Sequence, residues 1–473
     1  MKNNLDLPLA LSFDDVLIVP KYSDIVSRKN IDLRTNFSRR IKWNRPIVRA
    51  NMDTGTESQV AMAMAREGGL GVIHRFNSIE VQVSEVEKVK RAETLMIHNP
   101  ITIGADESLK DALVLMKRYD VGGILVVGKN NLLLGILTAR DVRFREDYHT
   151  KVRELMTPKA KLVTALPGAK KEVIIDLIKK HKIEKIPLMD KAGVLCGLVT
   201  ATDFMKSVRH ANAAKDGRGR LLVGAAVGVK DGEERAERLV AVGCDALVID
   251  IAHGHHESAV KLVRLLKKKF KETDVVAGNV ATAEGTVDLI KAGADAIKIG
   301  IGPGKACSTR VVSGSGMPQF TAVSNWDLAE RKFKIPGMAD GGLKNSGDLA
   351  KGVGAGGDTA MIGGLFAGTA ESPGDYFLEN GAAFKVYRGL ASREASADRG
   401  KFESNKDRQE RAAEGISTTV SYKGEVALIV QLLLDGLQSG MSYSGAKNIP
   451  DFWKKVSFVR VSEAGIREGE PRP

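Results

Sequence analysis

The chain has little cysteine. Its 473 residues include three, Cys196, Cys244 and Cys307. Spacing this wide argues against a disulfide scaffold and against a CxxC metal site. Long hydrophobic runs are missing too: no stretch reaches the roughly 20 apolar residues that a membrane helix needs. The N-terminal Met1-Lys-Asn-Asn-Leu-Asp6 carries no apolar signal-peptide core. These absences predict a soluble, cytoplasmic protein with no membrane partner. Acidic residues are in deficit, leaving a net charge of +13. The excess lies on expected helix faces, as with Lys261, Arg264, Lys267, Lys268, Lys269 and Lys271. No basic stripe is interleaved with aromatics and no zinc-finger spacing occurs. That argues against a nucleic-acid partner and leaves small anionic ligands.

Glycine, by contrast, is plentiful and placed. Gly300-Ile-Gly-Pro-Gly304-Lys-Ala-Cys307-Ser-Thr-Arg310 follows the apolar run Ala296-Ile-Lys-Ile. A glycine-rich loop leaving a strand lets the backbone approach a phosphate and offer N–H donors. A cysteine just beyond it suggests covalent chemistry on the bound ligand. The alternative for Cys307 is inert packing beside a tight turn.

From Leu221 onward, short apolar runs alternate with amphipathic segments. Strands are expected at Leu221–Val229, Ala246–Asp250, Asp274–Ala277, Ala296–Ile299, Gly337–Ala339 and Thr359–Ile362, with helices such as Gly232–Val242, Ser258–Lys269 and Ala283–Ala292 between them. Apolar strands separated by helices are the signature of a parallel sheet covered on both faces. Polar or glycine-rich motifs end these strands, which suits the C-terminal face of a (β/α)8 TIM barrel. Early units at Ile47–Ala50 and Gly71–His74 precede a long interruption. That interruption holds an internal repeat: Gly135-Ile-Leu-Thr-Ala-Arg-Asp141 returns as Gly197-Leu-Val-Thr-Ala-Thr-Asp203, each with a helix-like segment upstream (Leu109–Lys117, Glu172–Lys180). A duplicated α/β unit inserted in a barrel loop explains it. The expected division is 1–92 for the first part of the barrel, 93–210 for the inserted pair and 211–473 for the rest. A charged stretch, Ala391–Ala413, is read as a flap over the site.

These motifs together resemble the IMP dehydrogenase / GMP reductase family over nearly the whole chain. The resemblance rests on Phe13-Asp-Asp-Val-Leu-Ile-Val-Pro20, Asn51-Met-Asp-Thr54, Gly69-Leu-Gly-Val-Ile-His74, the Gly300–Arg310 loop, Ala339-Asp-Gly-Gly342, Glu371-Ser-Pro-Gly374 and Tyr387-Arg-Gly389. The inserted repeat resembles a CBS-domain pair, which implies regulation by adenine or guanine nucleotides. The resemblance also implies a homotetramer, or an octamer formed through the inserted module.

By that resemblance Cys307 is the nucleophile at C2 of a purine nucleotide, and Thr309 and Glu414 handle protons or the leaving group. Met52, Gly302, Gly304, Lys305, Asp340, Gly342, Gly363, Gly364, Tyr387 and Tyr443 are the implied nucleotide-binding set, with Asp340 on the ribose hydroxyls. Asp250, Asn279 and Gly300 are implied at the nicotinamide cofactor. Asp250 is also a candidate for catalysis, or alternatively a helix cap. A monovalent cation, potassium, is implied at the backbone of Gly302, Gly304 and Cys307. His253, His255 and His256 lack a completing ligand and are read as a loop leading into a helix.

The family has two branches. The dehydrogenase oxidises IMP to XMP with NAD and normally carries an Arg-Tyr pair in its flap. Here the nearest sequence is Arg399-Gly400, without the tyrosine. The reductase converts GMP to IMP and ammonia with NADPH and needs no flap base. Arg411-Ala-Ala-Glu-Gly415 resembles reductases. GMP reductase is therefore the expected activity, IMP dehydrogenase the alternative, and a nucleotide sensor on an inactive barrel the second alternative. The repeat and the tail Phe458–Glu468 resemble dehydrogenases instead. Lys305 stands where the family usually has serine, Ala50 and Gly364 where dehydrogenases often do, and Arg49 and Gly55 are unusual for either branch.

Overall fold

The computed structural model describes residues 7–92, 97, 100–119, 121–201, 210–330, 333–395 and 413–469. The chain divides into two compact units, one of residues 1–92, 212–216 and 221–473 and one of residues 93–211 and 217–220.

The larger unit contains a closed barrel of eight parallel strands. They are β1 (Ile47–Arg49), β2 (Leu70–Ile73), β3 (Gly224–Val227), β4 (Ala246–Ile249), β5 (Asp274–Val280), β6 (Ala296–Ile299), β7 (Gly337–Asp340) and β8 (Thr359–Ile362). Each pairs with its sequence neighbours, and β8 closes on β1, as Ala360 opposite Ile47 shows. The expected (β/α)8 barrel is thus present. The strands are largely apolar because both faces are covered. Val48, Leu70, Val72, Ala226, Val248, Val276, Ala296, Met338 and Met361 form an interior cluster, while Ile73, Val227, Ile249, Val275, Ile297 and Ile299 pack outward against helices. This alternation along each strand follows from its two-residue period. Burying one such branched side chain is worth roughly 1.5–3 kcal/mol.

Helices α1 (Ser58–Arg66), α2 (Ile79–Ala92), α3 (Gly232–Ala241), α4 (Glu257–Lys269), α5 (Ala283–Ala292), α6 (Gln319–Glu330), α7 (Ser346–Gly354) and α8 (Val426–Tyr443) follow the strands in turn. In α4 the buried residues Ala259, Val260, Leu262, Val263 and Leu266 fall on one helical face, and Lys261 and Lys268 point away. Its N-cap is His256, whose Nδ1 accepts from the Ser258 N–H. The histidine triplet therefore starts a helix as expected. Thr282 caps α5 and Gly293 ends it at φ +108°, the left-handed geometry that glycine adopts without strain. Expected boundaries move by a few residues. β3 is shorter than Leu221–Val229, and β5 continues past Ala277 through a register shift at Gly278 and Val280.

The N-terminal end of the barrel is tied by a repeated device. Asp245, Asp295 and Asp358 each precede a strand, and each accepts the N–H of the strand before it: Val223, Val275 and Gly337, all at 2.9 Å. Lys90 completes Asp245 at 2.8 Å and Lys267 completes Asp295 at 2.6 Å. Phe37 and Trp43, with rings 4.7 Å apart, join the interior cluster from a short hairpin.

The smaller unit carries two sheets. Strands Thr102–Gly104, Gly123–Val127, Leu133–Thr138 and Thr157–Pro158 form one; Lys185–Met189 and Leu195–Thr200 form the other. In both sequence repeats a helix, Leu109–Tyr119 or Lys171–His181, precedes an antiparallel strand pair. Leu125, Leu133, Ile136, Leu195 and Leu198 share one cluster. Cys196 lies on the second pair. The end of the second repeat at Thr202–Asp203, and residues 396–412 of the expected flap with Arg399, lie outside the described residues. No described helix is long and apolar enough to cross a membrane.

Candidate active site

Loops at the C-terminal ends of the strands enclose a cavity of about 2520 Å³. Pockets for one small ligand run roughly 300–1,000 Å³, so two ligands can sit here side by side.

Cys307 stands in the loop after β6, exposed to this cavity. Its Sγ lies 3.2 Å from Thr309 Oγ1, and Thr309 donates to Glu414 Oε2 at 2.7 Å. Three residues expected to act together are therefore one hydrogen-bonded chain. Main-chain pairing brings Glu414 there from about a hundred residues away. The Ser308 N–H donates to the Glu414 carbonyl at 2.9 Å, Ile416 N–H to Ala306 at 3.1 Å, and Gly389 N–H to Ile416 at 2.9 Å. Cys307 and Gly415 form a β-bridge. A Cβ on Gly389 would lie 2.4 Å from the Ala306 carbonyl oxygen, so only glycine permits this approach. On the same loop Gly300 and Gly302 have φ of +133° and +79°, and the Gly304 carbonyl accepts the Cys307 N–H.

Asp340 ends β7. Its Oδ2 accepts from Asn279 Nδ2 at 2.8 Å, and Lys298 Nζ lies 3.5 Å away. Asn279 also donates to the Gly300 carbonyl at 2.8 Å, which ties β5, β6 and β7 together at the cavity. Gly342 follows at φ +78°. Asp250 directly follows β4 and is mostly buried. It is not a helix cap: its Oδ2 accepts from Arg75 Nε at 2.7 Å. Burial alone would raise its carboxyl, but the charges of Arg75 and Lys298 outweigh that and hold it below the usual carboxylate range.

Gly363 and Gly364 follow β8. A Cβ on Gly363 would lie 2.9 Å from Tyr387 Oη and one on Gly364 3.1 Å from Lys305 Cδ. Tyr387 is buried, with its hydroxyl 3.2 Å from Met52 Sδ. Met52, Lys305, Gly363, Gly364 and Tyr387 thus meet on one wall of the cavity. Tyr443 is the expected residue that does not join them. It is the last residue of α8, more than half exposed, absent from the cavity lining, and Arg28 lies over its ring. The helix ends at Tyr443, and Ser444–Gly445 form the turn that follows it.

Several cavity residues escape the sequence reading. Arg75 and Asn77 follow β2, and neither atom of the buried Asn77 amide has a partner among the described residues. Lys298 lies on β6, and Lys423 comes from the strand-like approach to α8. Arg75 directly follows the Gly69–His74 motif, so extending that motif by three residues would have found the pair. Lys423 has no such signal. Cys244 is not a site residue: it is buried between α3 and β4, and burial pushes its thiol up to about 12. Among the described residues no cluster of histidine, cysteine and carboxylates could hold a metal ion.

Known proteins align with this arrangement. Residues 10–472 match the IMP dehydrogenase / GMP reductase domain. An inosine-5'-monophosphate dehydrogenase of Nitrosopumilus maritimus is 48% identical over 467 residues, covering 98% of each chain. One of Aquifex aeolicus is also 48% identical, over 97% of this chain and 94% of its own. Among solved structures, a GMP reductase of Trypanosoma brucei in complex with guanosine 5'-monophosphate superposes with a TM-score of 0.91, at 42% identity and full coverage of both chains. The family match spans the insertion without identifying a separate CBS domain there. A barrel of this topology, a cysteine loop at its C-terminal face and near-complete alignment with both branches make the chain a member of the IMP dehydrogenase / GMP reductase family of NAD(P)-dependent purine-nucleotide oxidoreductases.

Proposed function

We propose that this enzyme is a GMP reductase that works through a covalent bond between Cys307 and C2 of the purine. The observation that carries the proposal is the Cys307–Thr309–Glu414 chain, closed at 3.2 and 2.7 Å entirely by residues outside the flap sequence. In this reading the Cys307 thiolate adds to C2 of GMP. Glu414, through Thr309, delivers the proton with which the 2-amino group leaves as ammonia. Asp340 accepts from the ribose hydroxyls, and the Gly363–Tyr387 wall receives the phosphate. The nicotinamide cofactor supplies the hydride that replaces sulfur at C2. The unpartnered Asn77 amide and the Arg75–Asp250 pair fit the polar end of such a cofactor.

The second reading is IMP dehydrogenase. The sequence relatives carry that name and favour it over the reductase, whereas the superposed structure is a reductase. Two residue-level facts favour the reductase: the relay needs nothing from the flap, and Arg399-Gly400 lacks the tyrosine of the dehydrogenase pair. We read the smaller unit as a CBS-like pair that binds adenine or guanine nucleotides, and the functional form as a homotetramer or octamer.

Absorbance at the reduced-nicotinamide band separates the readings. The reductase oxidises NADPH with GMP and releases ammonia. NADH formation from IMP and NAD in the presence of potassium would establish the dehydrogenase instead and bring the implied cation with it. An inactive sensor would turn over neither mixture.

A further inference from the structure

Arg49 is fully buried at the end of β1. Its Nη1 donates to the carbonyls of Ile362 and Gly363, at 3.2 and 3.1 Å. Its Nε and Nη2 have no partner among the described residues. Buried charges in proteins are ordinarily paired. Burial pushes this guanidinium down to about 10, so it stays charged at neutral pH.

The surroundings make room for it. A Cβ on Gly55 would lie 2.6 Å from Nη2, so the unusual glycine and the unusual arginine belong together. Above it, Ile362, Gly363 and Gly364 line the cavity. Lys305 packs its side chain over Gly364, and Lys423 donates to the Leu365 carbonyl at 3.0 Å. Burial, then Lys305, then Arg49 depress the Lys423 ammonium, which identifies the three cations as neighbours. The Tyr387 hydroxyl also interacts with Arg49, and burial holds it in its neutral form.

We propose that Lys305 and Lys423, which line the cavity beside Gly363–Gly364, form a charge-based anion subsite, and that Arg49, buried beneath those glycines and not itself lining the cavity, determines selectivity for a dianionic phosphate through its charge. The subsite takes the 5'-phosphate of the substrate, so the inference rests on the nucleotide reading above. It deepens that reading by replacing hydroxyl recognition with charge recognition. Charge-assisted hydrogen bonds are roughly twice as strong as neutral ones. A dianion offers enough charge to offset the buried guanidinium, and a neutral nucleoside offers none.

The test is isothermal titration of the full-length enzyme with inorganic phosphate, GMP and guanosine, at low and high salt. The expected result is orthophosphate binding that weakens with salt, together with a large preference for GMP over guanosine. Arg49→Met should lower GMP and orthophosphate affinity at least tenfold and leave guanosine affinity unchanged. Lys305→Ser, at an exposed position that does not threaten folding, should reduce the same two affinities by a smaller factor. Equal losses for GMP and guanosine in Arg49→Met would overturn the subsite, because a packing defect would not distinguish them. So would wild-type orthophosphate affinity in both variants. Orthophosphate binding that depends on Arg49, in an enzyme with no turnover of GMP or IMP, would sink the nucleotide reading and leave the subsite standing.

Discussion

The two ends of the barrel treat charge in opposite ways. At the N-terminal end Asp245, Asp295 and Asp358 are buried or nearly so, and each holds a backbone N–H of the preceding strand; lysines complete the first two. At the C-terminal end the buried Arg49 and the half-buried Asn77 have polar atoms left over among the described residues. The first arrangement commits its three carboxylates to holding the fold. The second keeps sites in reserve, which destabilises the free protein and serves a ligand. One strand scaffold therefore separates stability from function along its own axis, as expected for barrels of this kind.

Removing sulfur from the C-terminal end should break the comparison most sharply. Cys307→Ala is expected to lose turnover by about 10³-fold or more while GMP binding and thermal stability persist. Residual turnover near wild type would exclude a covalent mechanism. Glu414→Gln should follow, with roughly 10²–10⁴-fold lower kcat and little change in KM, read from steady-state rates. At the other end, Asp295→Ala strands Lys267 and the Val275 N–H. Breaking a buried pair costs about 3–5 kcal/mol, measurable by urea unfolding, with KM unchanged in the folded fraction.

Arg49→Met should act in the reverse sense and stabilise the ligand-free enzyme by about 1–2 kcal/mol. The folded guanidinium value, about 10, lies below its ordinary 12.5. Its charge thus opposes folding at every pH below about 10, and the penalty fades only as pH rises from there towards 12.5. The gain should be flat from pH 6 to 9; a gain that vanished with rising pH inside that window would assign the effect elsewhere. The smallest effect is chemical. At pH 8 iodoacetamide should modify the exposed Cys307 and spare Cys244, whose thiol stays protonated. Mass spectrometry of the native enzyme reads both.

Much of the barrel was legible because parallel strands covered on both faces advertise themselves as apolar runs. β4, β6 and β8 fall within a residue of their expected ends. The cysteine loop was legible because its glycines and its cysteine are contiguous. What escaped depends on distance in sequence. Lys423 reaches the cavity from the far side of the flap sequence, and nothing local to Tyr422-Lys-Gly424 reports the Leu365 carbonyl it meets. Arg49 was visible as an oddity, but its meaning lies in a pairing with Gly55 and in carbonyls more than three hundred residues away. Tyr443 misled because a tyrosine beside a serine-glycine turn says nothing locally about which side of the barrel the end of α8 faces, and it stands exposed away from the cavity.

The main-chain stitches around Cys307 carry a consequence for how such enzymes diversify. Gly389 and Ile416 pair across the segment between them, and Ser308 and Ala306 fasten the sulfur loop to the second of these strands. One foot of the intervening segment is therefore clamped to the loop by backbone atoms and the other foot is clamped to the first, with glycine required at residue 389. Its length and composition can be rewritten, or exchanged for a relative's, without moving the sulfur or the Thr309–Glu414 pair. Evolution could thus switch the fate of a shared intermediate by editing one tethered insert, and a graft between residues 395 and 413 should recapitulate that step.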